Sequence, residues 1–140
     1  MDFAKLDALL ENSREDMIRT LRGWIAIPSV SARSDAAGAP FGAECRRALD
    51  LALADAKAMG FSVRDFDGYA GDITLEAGEK TLGMLCHLDV VPAGDGWTKQ
   101  PFGGEIEAGK IYGRGTMDDK GPAVAALYAM KAVRDAGIPL

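Results

Sequence analysis

The spacing of apolar side chains changes twice along this chain, and these changes limit the folds open to it. Apolar residues recur at helical spacing over 3–24 and 45–59, where Pro28 and Gly60 are natural endings. The pattern then becomes extended, and helical spacing returns over 122–136. The predicted strands cover 61–66, 73–77 and 81–87, and a predicted hairpin joins 105–107 to 110–112. This order predicts an α/β fold, a three-layer sandwich with a mixed β-sheet.

The first helical region is predicted in two pieces. Ser13 and Asp16 have the spacing of a capping box, in which the serine hydroxyl would open the second piece. The alternative is that Ser13 is a solvated residue within a helix. These two interpretations differ in where the serine hydroxyl forms its hydrogen bond.

Composition and charge narrow the class of protein. Of the 140 residues, 48% are hydrophobic and 26% are charged, which suits one folded domain. The formal net charge is −5 and the sequence has no stripe of Lys and Arg, so no nucleic acid partner is expected. With no signal-like start and no apolar run of membrane-spanning length, we expect a cytoplasmic protein without a membrane partner. Cys45 and Cys86 are too few for a disulfide framework and are predicted to be buried free thiols.

The only histidine, His87, follows the apolar run 82–86 and precedes Asp89 by two residues. Side chains alternate along a strand, so His87 and Asp89 are expected on one face and Cys86 on the other. A zinc-bound imidazole commonly donates its other N–H to a carboxylate, which suits Asp89. The end of a buried strand is also where ligands bind in open α/β sheets. His87 is therefore a candidate metal ligand, and a structural His–Asp pair is the alternative.

A second acidic group lies where a glycine-rich loop meets the last predicted helix. Asp118 follows a Gly-Arg-Gly turn and precedes the helix that is predicted to begin near Pro122. A helix N-terminus would present this carboxylate rigidly, so Asp118 is a candidate bridging ligand. The alternative is that Asp118 and Asp119 only cap the helix, where acidic residues are favoured.

The loop between these segments, 92–102, contains two large aromatic residues. Trp97 and Phe102 either pin the loop to the core or border a substrate site, and we favour pinning. Arg114 and Lys120 either meet a substrate carboxylate or stabilise the loops, and we favour stabilisation.

Two motifs carry a specific family resemblance: HLDVVPAGDGW at 87–97 and GRGTMDDKGP at 113–122, with Pro101 and Phe102 between them. They closely resemble the co-catalytic zinc metallopeptidases, a family that includes carnosinases, aminoacylase, acetylornithine deacetylase and carboxypeptidase G. The chain is most similar to the bacterial dipeptidase V branch, the Xaa-His or β-Ala-Xaa dipeptidases. The resemblance implies a zinc-exopeptidase-like fold and two zinc ions in each complete active site.

The resemblance also implies roles for individual residues. It implies that His87 binds one zinc, that Asp118 bridges both, and that Asp89 is the catalytic residue that orients His87. It further implies a cis peptide bond between Asp118 and Asp119.

Other residues that the resemblance requires do not occur in this sequence. Family members use a Glu-Glu pair, a later acidic residue and a second histidine, whereas this chain has one histidine. We therefore expect 1–140 to be the N-terminal part of a catalytic zinc-peptidase domain, with the remainder and a lid or dimerisation domain absent. The complete protein is expected to hydrolyse dipeptides with zinc, and this chain to be inactive alone.

The alternatives to a dipeptidase are a same-family amidohydrolase acting on N-acyl amino acids, such as a desuccinylase or deacetylase, and a non-catalytic truncated module. A small peptide is the expected substrate, and the oligomeric state is left open.

Overall fold

The computed structural model of this chain describes residues 3–75 and 79–138. Within these ranges, three helices are followed by four short strands and a last helix, and the α/β class is confirmed. The elements are α1 (Phe3–Asn12), α2 (Arg14–Ile25), α3 (Ala43–Ala58), β1 (Ser62–Phe66), β2 (Ala70–Thr74), β3 (Glu105–Glu107), β4 (Lys110–Tyr112) and α4 (Lys120–Asp135).

The helical start consists of two pieces, as predicted, but the predicted capping box does not form. Ser13 lies between α1 and α2, and its side chain makes no capping hydrogen bond to α2. Its hydroxyl instead donates to the carbonyl of Leu9, 2.8 Å away in α1. Serine hydroxyls compete in this way for the carbonyl four residues back. Ser13 therefore completes the first helix rather than opening the second.

Two short antiparallel sheets follow α3. That helix ends before Gly60, whose φ of 90° is strained for any residue with a side chain. Strands β1 and β2 pair with Val63 opposite Ile73. Strands β3 and β4 form the predicted hairpin, and Ala108 and Gly109 both have the positive φ that a tight hairpin turn requires. The predicted strand at 73–77 begins earlier than expected, and its residues 76 and 77 lie outside the described ranges.

The predicted strand at 81–87 is not formed within the described residues. Leu82 is 88% exposed and Leu85 is fully exposed. A strand requires a neighbour for its backbone hydrogen bonds, and in the described ranges the first pairing after this segment is an isolated parallel bridge between Val30 and Val90. Cys86 is consequently exposed and Cys45 only half-buried, so the prediction that both thiols are buried is wrong.

The core lies between three helices. Buried apolar side chains from α2, α3 and α4, with Phe61 just after α3, meet there: Trp24, Ala52, Ala56, Phe61, Ala123, Val124, Leu127 and Tyr128. The indole N–H of Trp24 donates to the carboxylate of Asp55 at 2.7 Å, which satisfies its polar atom inside the core. None of the helices in the described ranges is long and apolar enough to cross a membrane.

Leu127 provides a test of this core, because its side chain is 3% exposed. Leu127→Ala is expected to lower the free energy of opening of α4 by about 2–5 kcal/mol, through lost burial and a residual cavity. Native-state hydrogen exchange of the α4 amides in the complete protein measures this quantity. Ala129→Ser, at an exposed position on the same helix, is the control and should change it by less than about 0.5 kcal/mol. Equal effects of the two substitutions would contradict this packing.

Candidate metal centre

The imidazole of His87 lies between two carboxylates. Its Nδ1 is 3.3 Å from Asp89 Oδ1 and 3.1 Å from the carbonyl oxygen of Asp89. Its Nε2 is 3.0 Å from Asp118 Oδ1. The three side chains singled out in the sequence therefore meet at one point, although Asp118 comes from a different segment of the chain.

Asp119 joins the same two segments in a way that the sequence analysis missed. It occupies the N-cap position of α4, but its side chain makes no capping hydrogen bond. Instead, the backbone N–H of His87 donates to Asp119 Oδ2 at 3.1 Å. The alternative that Asp118 and Asp119 only cap the helix is therefore wrong. The peptide bond between them is cis, as the resemblance implies.

The two carboxylates change the proton affinity of the ring. Partial desolvation lowers the pKa of His87, but the hydrogen bonds and charges of Asp89 and Asp118 outweigh it, and the net pKa is raised. Both ring nitrogens face oxygen acceptors, so both contacts are hydrogen bonds only when the ring carries two protons. Because metals bind the deprotonated nitrogen, a cation at Nε2 would compete with that proton.

The donor set fits part of a zinc shell. Imidazole nitrogen and carboxylate oxygen are zinc ligands, and a carboxylate on the other ring nitrogen fixes the orientation of the ring. A zinc site usually requires at least three protein ligands. Across 3–75 and 79–138, no group of three or more His, Cys, Asp or Glu side chains is arranged to hold a metal. The residues present therefore fit zinc as an incomplete set of ligands.

The segment that follows α2 supports the backbone next to His87. Ser29 is fully buried, and its hydroxyl donates to the carbonyl of Leu88 at 2.6 Å. The N–H of Val90 in turn donates to the carbonyl of Ser29 at 2.9 Å. Asp89 is thus held between two residues that are both bonded to Ser29.

Lys120, the first residue of α4, is also fully buried. Its ammonium donates to the carbonyls of Trp24 at 2.9 Å and Ile27 at 2.8 Å. Burial lowers the pKa of Lys120 to about 8, and the nearby Cys45 and Asp89 oppose that shift. These contacts agree with the stabilising interpretation of Lys120.

The aromatic loop after Pro92 is held by hydrogen bonds and by a cation–π contact. The indole N–H of Trp97 donates to the carbonyl of Ala93 at 2.8 Å, and Arg114 donates to the same carbonyl at 3.0 Å. The guanidinium of Arg114 also lies 5.4 Å from the centre of the Trp97 ring. Arg114 therefore stabilises this loop, as predicted, while the indole hydrogen bond of Trp97 lies within the loop and does not join it to the core.

Several known proteins are similar to this chain in sequence. Residues 83–140, which contain the three meeting side chains, match peptidase family M20/M25/M40. The chain is 45% identical over 128 residues to a Bacillus subtilis protein named "Putative dipeptidase YtjP", covering 91% of this chain and 28% of that protein. It is 48% identical over 120 residues to a Staphylococcus epidermidis protein named "Putative dipeptidase", covering 85% of this chain and 26% of that protein.

The fold is similar to that of a solved enzyme. Human carnosine dipeptidase 1 superposes with a TM-score of 0.68 and 26% identity, covering 96% of this chain and 31% of that one. The chain thus spans less than a third of the length of each of these proteins, and the family resemblance of its two motifs is confirmed. Residues 83–140 of this chain are thus similar in sequence to peptidase family M20/M25/M40.

Proposed function

We propose that the complete protein containing this chain is a zinc-dependent dipeptidase, and that His87 and Asp118 are two of its metal ligands. The observation that carries the proposal is the imidazole of His87 held between Asp89 and Asp118. The relatives named as dipeptidases, at 45% and 48% identity, support a dipeptide as the substrate class. The proposal includes two zinc ions in the complete site and action in the cytoplasm.

The three side chains have different proposed roles. His87 would provide Nε2, and Asp118 would provide a carboxylate that is 87% exposed, with a metal ion replacing the 3.0 Å contact between its Oδ1 and Nε2. The carbonyl oxygen of Asp89 lies 3.1 Å from Nδ1 as a hydrogen-bond partner, and the carboxylate lies 3.3 Å from the same atom, so Asp89 would keep Nε2 directed toward a metal ion. When bound, zinc supplies Lewis-acid polarisation of the scissile carbonyl and a lowered pKa for water.

The described residues supply only part of this chemistry. A general base and at least one more ligand are required for the reaction. We propose that residues 1–140 are the N-terminal part of the catalytic domain and that the rest of the complete protein provides these groups. Isolated residues 1–140 are then expected to be inactive.

The ligand assignment predicts that His87→Ala and Asp118→Ala both abolish dipeptide hydrolysis in the complete protein. Each removes a donor atom, so bound zinc should fall as well. The measurements are elemental analysis after dialysis and an assay against a panel of dipeptides and N-acyl amino acids. Asp7→Ala, at an exposed position on α1, is the matched control and should leave both quantities unchanged.

Each outcome of this experiment has a definite meaning. Full activity in either ligand variant would refute the metal assignment. A wild-type protein that binds zinc but hydrolyses only N-acyl amino acids would replace the dipeptidase with an amidohydrolase. A wild-type protein that neither binds zinc nor hydrolyses any substrate in the panel would identify a non-catalytic module.

The orienting role of Asp89 predicts a different phenotype. Asp89→Asn keeps a hydrogen-bonding group beside Nδ1 but removes its charge, so it should retain zinc while kcat falls by about 10–100-fold. Steady-state kinetics and zinc content, measured on the same preparation, separate the two effects. A loss of zinc as large as that in His87→Ala would make Asp89 a direct ligand instead.

A further inference from the structure

The two segments that carry the candidate ligands share one buried support. Segment 27–29, which follows α2, bonds to Lys120 through the carbonyl of Ile27 and to the neighbours of Asp89 through Ser29. Lys120 is only two residues from Asp118. Segment 27–29 thus bonds to Lys120, near Asp118, and to the two residues that flank Asp89.

The ammonium of Lys120 binds carbonyls at the C-terminal end of α2, where a positive charge is favoured. The last carbonyls of a helix have no partner within the helix and lie at the negative end of its dipole. The ammonium of Lys120 meets such a carbonyl, that of Trp24, and the carbonyl of Ile27 just beyond the helix. Because Lys120 is fully buried, these two bonds replace the hydration that its ammonium loses, and burying the ammonium without them would be costly. Each carbonyl also accepts a backbone N–H, Trp24 from Ile27 at 3.2 Å and Ile27 from Ser29 at 2.9 Å.

The loop that carries Asp118 is packed against the stem of Lys120. A Cβ added at Gly115 would lie 3.2 Å from Cδ of Lys120 and 3.1 Å from a methyl group of Val90. A Cβ added at Gly121 would lie 2.0 Å from the carbonyl oxygen of Thr116. These contacts leave the loop little freedom to move independently of Lys120 and Val90.

We propose that Lys120 and Ser29 are positioning residues that hold Asp118 at the correct distance from His87 and Asp89, and thereby set the metal affinity of the site. This inference rests on the proposed metal-binding function. Neither side chain touches a candidate ligand atom directly. Lys120 acts through the carbonyl of Ile27, and Ser29 acts through the backbone of Leu88 and Val90, the two neighbours of Asp89.

The test measures zinc affinity in the complete protein, by competition with a chromophoric chelator, and the visible absorption spectrum of the cobalt(II)-substituted protein. Lys120→Met keeps the apolar stem but removes the ammonium, and Ser29→Ala removes the hydroxyl. Each is expected to weaken zinc binding by about 10–100-fold, the usual effect of groups that support metal ligands, and to alter the cobalt spectrum. The double variant should lose less affinity than the two single losses combined, because both act through segment 27–29.

The control separates positioning from general stability. Thr20→Val removes a hydroxyl that lies 3.0 Å from the hydroxyl of Tyr128, in the same group of helices but seven residues before segment 27–29. It should lower the melting temperature, as the two test variants do, while leaving zinc affinity and the cobalt spectrum unchanged. Equal zinc affinities for wild type, Lys120→Met and Ser29→Ala would overturn the positioning roles.

The two levels of the proposal can fail separately. If the wild-type protein does not bind zinc, the proposed function fails. If the wild type binds zinc and His87→Ala does not, but Ser29→Ala binds as tightly as the wild type, only the positioning proposal fails. Should Lys120→Met not fold, Ser29→Ala decides the result by itself.

Discussion

The contact between the ammonium of Lys120 and the end of α2 is the interaction on which the rest of this structure depends. Taking an ammonium out of water is costly unless charge-assisted hydrogen bonds replace its hydration. The carbonyls of Trp24 and Ile27 provide two of them. Because Lys120 begins α4, this contact also fixes where α4 starts relative to α2, whose Trp24 and Ile25 are buried.

The elements that could be predicted from the sequence are those that local interactions determine. The helices followed from apolar periodicity, the hairpin from the turn at 108–109, and the closeness of His87 and Asp89 from alternation along an extended chain. The segment 81–87 has the composition of a strand, but a strand also requires a partner, and none pairs with it within the described residues. Sequence periodicity contains no information about that partner.

The candidate site could be predicted only in part, for a related reason. Asp118 was a candidate from its place before α4, but its meeting with His87 followed only from the resemblance, since no spacing rule brings together residues that are 31 positions apart. Asp119 and Ser29 were missed because their roles are hydrogen bonds to distant backbone atoms. Lysine is almost never fully buried, so nothing in the sequence distinguished Lys120 from a surface residue. The supporting groups of a metal site are thus harder to infer than the ligands themselves.

The exposed run around Leu82 and Leu85 has a consequence for handling the isolated chain. It combines large apolar side chains with backbone groups that, in the described part of the chain, have no strand beside them. Such a segment is a template onto which another extended chain can add by edge-to-edge pairing, the process by which many proteins aggregate. Isolated residues 1–140 are therefore expected to self-associate through this run, and a charged residue in place of Leu82, five positions before His87, would oppose it.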